Sequence, residues 1–451
     1  MYNSNNRRVV VTLLLLTVVS LLSISSTLVT AESSQQQQGD LTSFITWLTD
    51  NGVFMSDSLN IVHIDGYGRS IVANKDIEKS TKLIEVPTGI MMAKDGVDKH
   101  IPKEIVELMK QSEIARTDAQ AIYLMYSRLN TDAFWYPYAS VLPETFTTTL
   151  YFNDEEMAAL QRSKLRDFAM GRSKGIQHHY DTIFDHLKTV NDEFKKPEYT
   201  FELFRWALSC IWSRAFSLSK NDGGLVPLAD MFNAEDKENA QVVPDSRPNK
   251  LTYYSNKPIK KGEQVFTPYG VYKTFSSAQL LMDYGFVFPQ GSSGDTVYLD
   301  MEDLRKDEPL RMKKGELLRG ANVTREIMLV RGKMPKELMV YARVKNINEQ
   351  ELDEAKTHFT TKETRDKPLN KRNEKVALRY MITFLSKFLD TYDTTLEQDI
   401  ELIKQYEEDV KLVGASSISL NMANAIRVRK SEKEVLSTLI KTIRTLREGI
   451  Q

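Results

Sequence analysis

At about Asp300 the hydrophobic pattern of this 451-residue chain changes period, and a chain that reads in two ways is expected to fold as two units. Ahead of that point, Asn60 to Ile64, Ile71 to Ala73 and Lys82 to Val86 read as short strands, with turn signals at Asp65-Gly66 and Pro87-Thr88-Gly89. Helical periodicity takes over in Ile101 to Gln111, Asp118 to Leu129, Asn153 to Phe168 and Tyr199 to Phe216. Strand character returns at Leu225 to Leu228, Leu251 to Tyr254 and Gln264 to Thr267. The pattern predicts a β-rich unit over residues 40–290, split by a helical insertion at about 97–205.

Residues 295–451 read as almost entirely helical. Ala377, Met381, Phe384-Leu385 and Phe388 recur at helical spacing, as do Leu396, Ile400, Ile403 and Tyr406, each set forming one stripe to bury. A last helix is expected to begin at the capping box Ser431-x-x-Glu434 and to bury Leu436, Leu439-Ile440, Ile443 and Leu446. The expected fold class is α+β, a β-rich unit with a helical insertion followed by an all-α helical domain.

Composition closes several functional classes. With 41% hydrophobic residues the chain can bury a large core, and 60 basic against 61 acidic residues leave a net charge of −1. No global field draws it to nucleic acid or to an anionic membrane, and no nucleic-acid partner is expected. The single cysteine, Cys210, lies in the apolar run Trp206 to Trp212 and reads as a small core residue rather than a nucleophile. One cysteine excludes an internal disulfide and a thiolate zinc cluster. The six histidines show no ligand spacing, and His178-His179 diverge on a helix, so no metal site is expected. Charge runs such as Glu407-Glu408-Asp409 read as solvated surface.

Residues 1–31 carry Arg7-Arg8, the apolar run Val9 to Ile24 and the small-residue ending Val29-Thr30-Ala31, the pattern of a secretory signal peptide cleaved near Glu32. The apolar run falls short of the ~20 residues of a spanning helix, so no stable membrane insertion is expected after cleavage. Residues 32–39, with Gln35 to Gln38, form a polar spacer. Entry to the secretory pathway follows, ending in the ER lumen or outside the cell; in an alga with a complex plastid such a leader also serves as the first half of a plastid address. Asn322-Val323-Thr324 is a glycosylation sequon.

A resemblance enters at several motifs in fixed order. Gly224-Leu225-Val226-Pro227-Leu228-Ala229-Asp230-Met231-Phe232-Asn233, Lys261 to Phe266 with Tyr269-Gly270, and Asp283-Tyr284-Gly285-Phe286 resemble segments of SET-domain methyltransferases of the Rubisco large-subunit methyltransferase type. Gly68 to Ile77, Phe134-Trp135-Tyr136-Pro137-Tyr138, Trp212-Ser213-Arg214-Ala215-Phe216, Asn373-Glu374, Tyr392 to Asp399 and Ala425-Ile426-Arg427 with Glu432-Lys433 extend it over residues ~40–450. The resemblance implies a SET fold closed by protein alone, a helical substrate-binding domain, S-adenosyl-L-methionine as cofactor and a lysine side chain of a protein as substrate; a monomer is expected.

The chemistry so implied is an in-line displacement that needs a neutral amine, an aligned methyl group and no metal. A lysine amine, with a pKa of about 10.4 in water, must lose its proton, which an apolar aromatic channel and a neighbouring sulfonium favour. Tyr269 corresponds to the tyrosine at the methyl-transfer centre, and Phe216 and Tyr284 to the walls of the lysine channel. Gly68, Ser70, Asp95, Arg214, Asp230, Asn233, Ala234 and Tyr269 correspond to cofactor positions. Ser70 stands where the family has a second glycine, Ala234 where it has histidine, and Ser277 where it usually has Asn. Three further readings stay open: a SET protein that binds peptide without turnover, a luminal helical scaffold, and a histidine methyltransferase. A family member that methylates a histidine of actin carries Asn where this chain has Phe216, and an apolar wall suits a lysine stem better than an imidazole needing a hydrogen-bond partner.

Overall fold

The computed structural model describes residues 40–64, 66–219, 222–235, 238–243, 249–268, 275–302 and 309–450. The chain divides into two compact units, Met1–Glu144 with Val190–Pro268, and Thr145–Thr189 with Tyr269–Gln451. Helix and small sheets are mixed as expected.

The first unit opens with a helix over residues 40–50 that buries Phe44 and Leu48. Eight short strands follow in chain order: β1 (Phe54–Met55), β2 (Leu59–Ile64), β3 (Gly68–Ala73), β4 (Lys82–Pro87), β5 (Ala215–Ser219), β6 (Asp222–Leu225), β7 (Ala240–Val243) and β8 (Lys250–Ser255). β1, β4, β8 and β7 make one antiparallel sheet in that order, and β2 with β3 and β5 with β6 make antiparallel pairs. β4 sits inside its sheet because Leu83, Ile84 and Val86 are all buried, and β-branched side chains suit a pleated surface covered on both faces. Between β4 and β5 the helices Arg116–Leu129 and Phe201–Arg214 pack together, burying Ala121, Ile122, Leu124 and Met125 on one and Phe204, Ala207, Leu208 and Ile211 on the other. Thr200 starts the second of these, its hydroxyl accepting from the Leu203 amide at 3.2 Å.

In the second unit, the long helix Lys164–Val190 and the helices Lys336–Lys345, Lys371–Leu389, Leu396–Val413 and Leu420–Glu448 supply most of the core. Val435, Leu436, Leu439, Ile440 and Ile443 of the last helix join one apolar cluster, Ala425 and Val428 a second, Ala423 and Ile426 a third.

Five local expectations are corrected. The strand expected at Leu225 to Leu228 stops at Leu225, since Pro227 has no amide to give a ladder and Leu228 turns to φ +72°. Gln264 to Thr267 makes isolated bridges to Val72 and Asn233 instead of a continuous strand. The helix Tyr199 to Phe216 ends at Arg214, so Phe216 lies on β5. The helical tail also contains a hairpin, β9 (Thr296–Asp300) against β10 (Glu326–Val330). The last helix begins at Leu420 under a Ser419 cap, twelve residues before the box at Ser431; Ser431 is buried mid-helix, Glu434 is paired with Arg331 and Lys430, and Leu446 is exposed.

Candidate active site

The β2–β3 hairpin turns through glycines with positive φ at Gly66 (+81°) and Gly68 (+71°), a backbone that L side chains rarely adopt. Open space lies beside Gly68, where a Cβ would meet no atom within 4 Å. Two residues on, Ser70 is fully buried, and its hydroxyl donates to the Gly68 carbonyl at 3.1 Å while accepting from the Asn233 side-chain Nδ2 at 2.8 Å. Asn233 is held from behind: its carbonyl accepts from the Thr267 amide at 2.9 Å, and it pairs in parallel with Phe266. Gln264 pairs with Val72 of β3, so the 264–267 segment ties β3 to the Asn233 loop. Ala234 follows, buried.

A second knot of polar groups lies at the end of the Phe201–Arg214 helix. Arg214 Nη1 donates to the Asp230 carbonyl at 2.9 Å and to its Oδ2 at 3.3 Å, and the Tyr138 hydroxyl donates to the same Oδ2 at 2.8 Å. Asp230 Oδ1 is buried and has no hydrogen-bond partner among the described residues. Burial raises the Asp230 carboxyl above its ordinary value, with the Arg214 charge and the Tyr138 bond pulling the other way. Burial, and then the Asp230 charge, raises the Tyr138 phenol well above its ordinary value. The turn leading in is strained: Leu228 holds φ +72° and ψ −45° without being glycine, and its side chain is wholly buried. Arg69, whose guanidinium donates to the Val141 carbonyl, is lowered by burial and by the charge of Arg214.

Phe216 is half-buried on β5, opposite Gly224 on β6. A Cβ at Gly224 would lie 1.9 Å from the Met92 carbonyl oxygen, and one at Gly223 2.4 Å from the Phe216 oxygen, so the paired glycines let three backbone segments close up. The Met92 amide donates to Leu225 at 2.9 Å, and Gln120 Nε2 donates to the Gly223 carbonyl at 2.5 Å. Cys210, buried close by, has its thiol pushed far up by burial.

The other candidate residues stand apart. Asp95 is exposed in the first turn of the Lys94–His100 helix, and no hydrogen bond or ion pair joins it to these groups among the described residues. Tyr269 lies outside the described residues. Tyr284, in the second unit, ends the Ser277–Tyr284 helix half-buried, its ring 6.2 Å from those of Phe275 and Phe286. Burial, then the Asp283 carboxylate, raises its phenol. Tyr138, Gln120 and Leu228 were not among the residues singled out from the sequence. Tyr138 and Leu228 had a signal there, inside the Phe134 to Tyr138 and Gly224 to Asn233 motifs; Gln120 had none.

Comparison with known proteins bears on the family and the fold. The SET domain family matches residues 68–270, and the Rubisco LSMT substrate-binding family matches residues 305–436. The actin-histidine N-methyltransferase of Gallus gallus is 24% identical over 426 residues, covering 90% of this chain and 68% of that protein. That of Homo sapiens is 24% identical over 421 residues, covering 89% of this chain and 68% of that protein. Among solved structures, the SET domain of LSMT bound to lysine and AdoHcy superposes with a TM-score of 0.70 at 22% identity, over 92% of this chain and 93% of that one. Rubisco LSMT bound to AdoMet gives a TM-score of 0.70 at 22% identity, over 91% of this chain and 93% of that one. At such identities the superpositions speak for the fold, and the two family matches speak for the domains. The chain is therefore a SET-domain protein whose second domain is of the Rubisco LSMT substrate-binding type.

Proposed function

We propose that this protein is an S-adenosylmethionine-dependent protein methyltransferase, with a lysine side chain as acceptor. The observation that carries the reading is the pair of polar knots in the first unit. Ser70 with Asn233, and Arg214 with Asp230, are residues that the SET resemblance assigns to the cofactor, and they are bonded to one another at 2.8 and 2.9 Å.

The residues present fit that cofactor. Ser70 replaces a glycine, yet its hydroxyl is turned inward onto Asn233 and Gly68, so it leaves the space beside Gly68 open. Gly68, Arg214, Asn233 and Ala234 would hold the cofactor, with Ser70 fixing Asn233 and Asp230 fixing Arg214. When bound, S-adenosylmethionine supplies an electrophilic methyl group on a positively charged sulfur. The protein must align a neutral amine with it and keep water out. Apolar Phe216 supports a lysine stem as the wall's partner.

Histidine is the second reading, favoured by the names of relatives aligned over about nine-tenths of the chain. Labelled cofactor, a lysate of the source cells and purified actin, followed by mass spectrometry of the modified peptides, separate the two. Methyl groups on lysine are expected, and methyl groups confined to histidine would overturn that acceptor. Failure to bind S-adenosylmethionine at millimolar concentration in isothermal titration would overturn the enzyme reading itself.

A further inference from the structure

We propose that Asn322 is an N-glycosylation site, modified as the chain passes into the ER lumen. Three independent observations meet there. Asn322-Val323-Thr324 is the only Asn-x-Ser/Thr in the sequence, and its middle residue is not proline. The leader, with Arg7-Arg8, the run Val9 to Ile24 and the small residues up to Ala31, has the layout that directs a chain to the ER translocon. The fold places the sequon where a glycan can stay.

That placement is specific. The helix Pro309–Gly320 ends two residues earlier, and Asn322 takes φ +57° in the turn before β10, a conformation that asparagine tolerates better than most residues. The turn is pinned by its backbone, Asn322 donating to the Arg319 carbonyl at 3.0 Å and Val323 to that of Leu318 at 2.9 Å. Asn322 and Thr324 are exposed, so a glycan added to the unfolded chain needs no space in the core when the chain folds. A sequon in the Ala377–Leu385 stripe would have no such exit.

The cysteine also suits passage through an oxidising lumen. Cys210 is fully buried and its thiol is pushed far up, so the chain's one thiol offers little thiolate for crosslinking or oxidation.

In the reaction, Asn322 Nδ2 forms a bond to the anomeric carbon of an oligosaccharide carried on a lipid pyrophosphate. The bond from that carbon to the pyrophosphate oxygen breaks, the lipid pyrophosphate leaves with the electron pair, and the Nδ2 proton passes to base. Because a plastid route that begins with a signal peptide also crosses the ER, the modification reports entry to the ER whatever the final compartment.

The test expresses the full chain with its own leader in a eukaryotic cell and treats the product with peptide N-glycosidase. A single mobility step is expected, abolished by Asn322→Gln, by Thr324→Ala and by deleting residues 1–31. The tryptic peptide ending at Arg325 should carry aspartate in place of Asn322 after the treatment. An unmodified Asn322 in the wild-type product would overturn the proposal, whether the leader was cleaved or the chain never entered the ER. Methyl transfer is read separately, so the two proposals fail independently.

Discussion

The Tyr138 hydroxyl donates to Asp230 Oδ2 at 2.8 Å across 92 residues of sequence, and the same carboxylate is the anchor of Arg214. A carboxylate so deeply buried keeps its charge only if donors replace the water it has lost. Tyr138→Phe removes one donor and nothing else. We expect a loss of about 2 kcal/mol in the first unit, the range for a hydrogen bond to a charged group, read from urea unfolding. A loss below about 0.5 kcal/mol would mean that Arg214 alone sustains the charge.

Gly224→Ala should be far more damaging than its size suggests. The new Cβ would stand 1.9 Å from the Met92 oxygen and 2.7 Å from its carbonyl carbon, and neither atom belongs to a flexible side chain. We expect a drop of more than about 3 kcal/mol, by analogy with overpacked cores, measured by thermal unfolding. Soluble variant with an unchanged melting point would show that β6 and the Met92 segment can separate.

In the second unit Asp399 is buried between two cations, Arg429 donating to Oδ1 at 2.9 and 2.8 Å and Lys433 donating to Oδ2 at 2.6 Å. Asp399→Ala leaves both cations without their carboxylate and should cost about 3–5 kcal/mol. Replacing all three by apolar residues of similar volume should recover most of it. Denaturant midpoints of the single and triple variants decide the point, and equal losses would contradict it.

Glu432 gives the pH prediction. Its carboxylate accepts from Ser163 at 2.7 Å and from Tyr392 at 2.8 Å, and burial outweighs both bonds and pushes its pKa up to about 7. The folded state thus holds the proton more tightly than the unfolded chain, whose glutamate titrates near 4.3. The stabilisation is complete below pH ~4 and is lost as pH rises to about 7, by about 3 kcal/mol in all. Glu432→Gln should be more stable relative to wild type at pH 8 than at pH 4, by a comparable amount. Parallel stability curves for the two proteins would refute the assignment.

Much of the fold was legible because alternation and helical spacing survive in the sequence. β2, β4 and β8 are legible as runs rich in β-branched and aromatic residues, and the Ala377, Met381 and Leu385 stripe from its period. What failed was decided by contacts that sequence does not print. Ser431 and Glu434 have the spacing of a cap, but Glu434 is paired with Arg331, 103 residues away. β10 was hidden because two strands alone, inside a helical tail, leave a weak alternating signal. At the site, Arg214, Asp230, Asn233 and Ser70 were found by resemblance, and their pairing could not have been read from spacing. Tyr138, in an aromatic run, reads as core until its hydroxyl is placed.

The division of the chain also has a consequence for how it is made. Ser163 Oγ bonds Glu432 across 269 residues, and the Leu420–Glu448 helix joins all three of the apolar clusters described in its unit. A ribosome adding about 5–20 residues per second delivers that helix on the order of tens of seconds after Ser163 has emerged. Through that interval Leu160 and Leu165 can meet Leu281 and Val287 of their cluster, but not Ala425 and Val428. The second unit therefore closes only once the Leu420–Glu448 helix has emerged, and until then its early part depends on whatever shields nascent apolar surface.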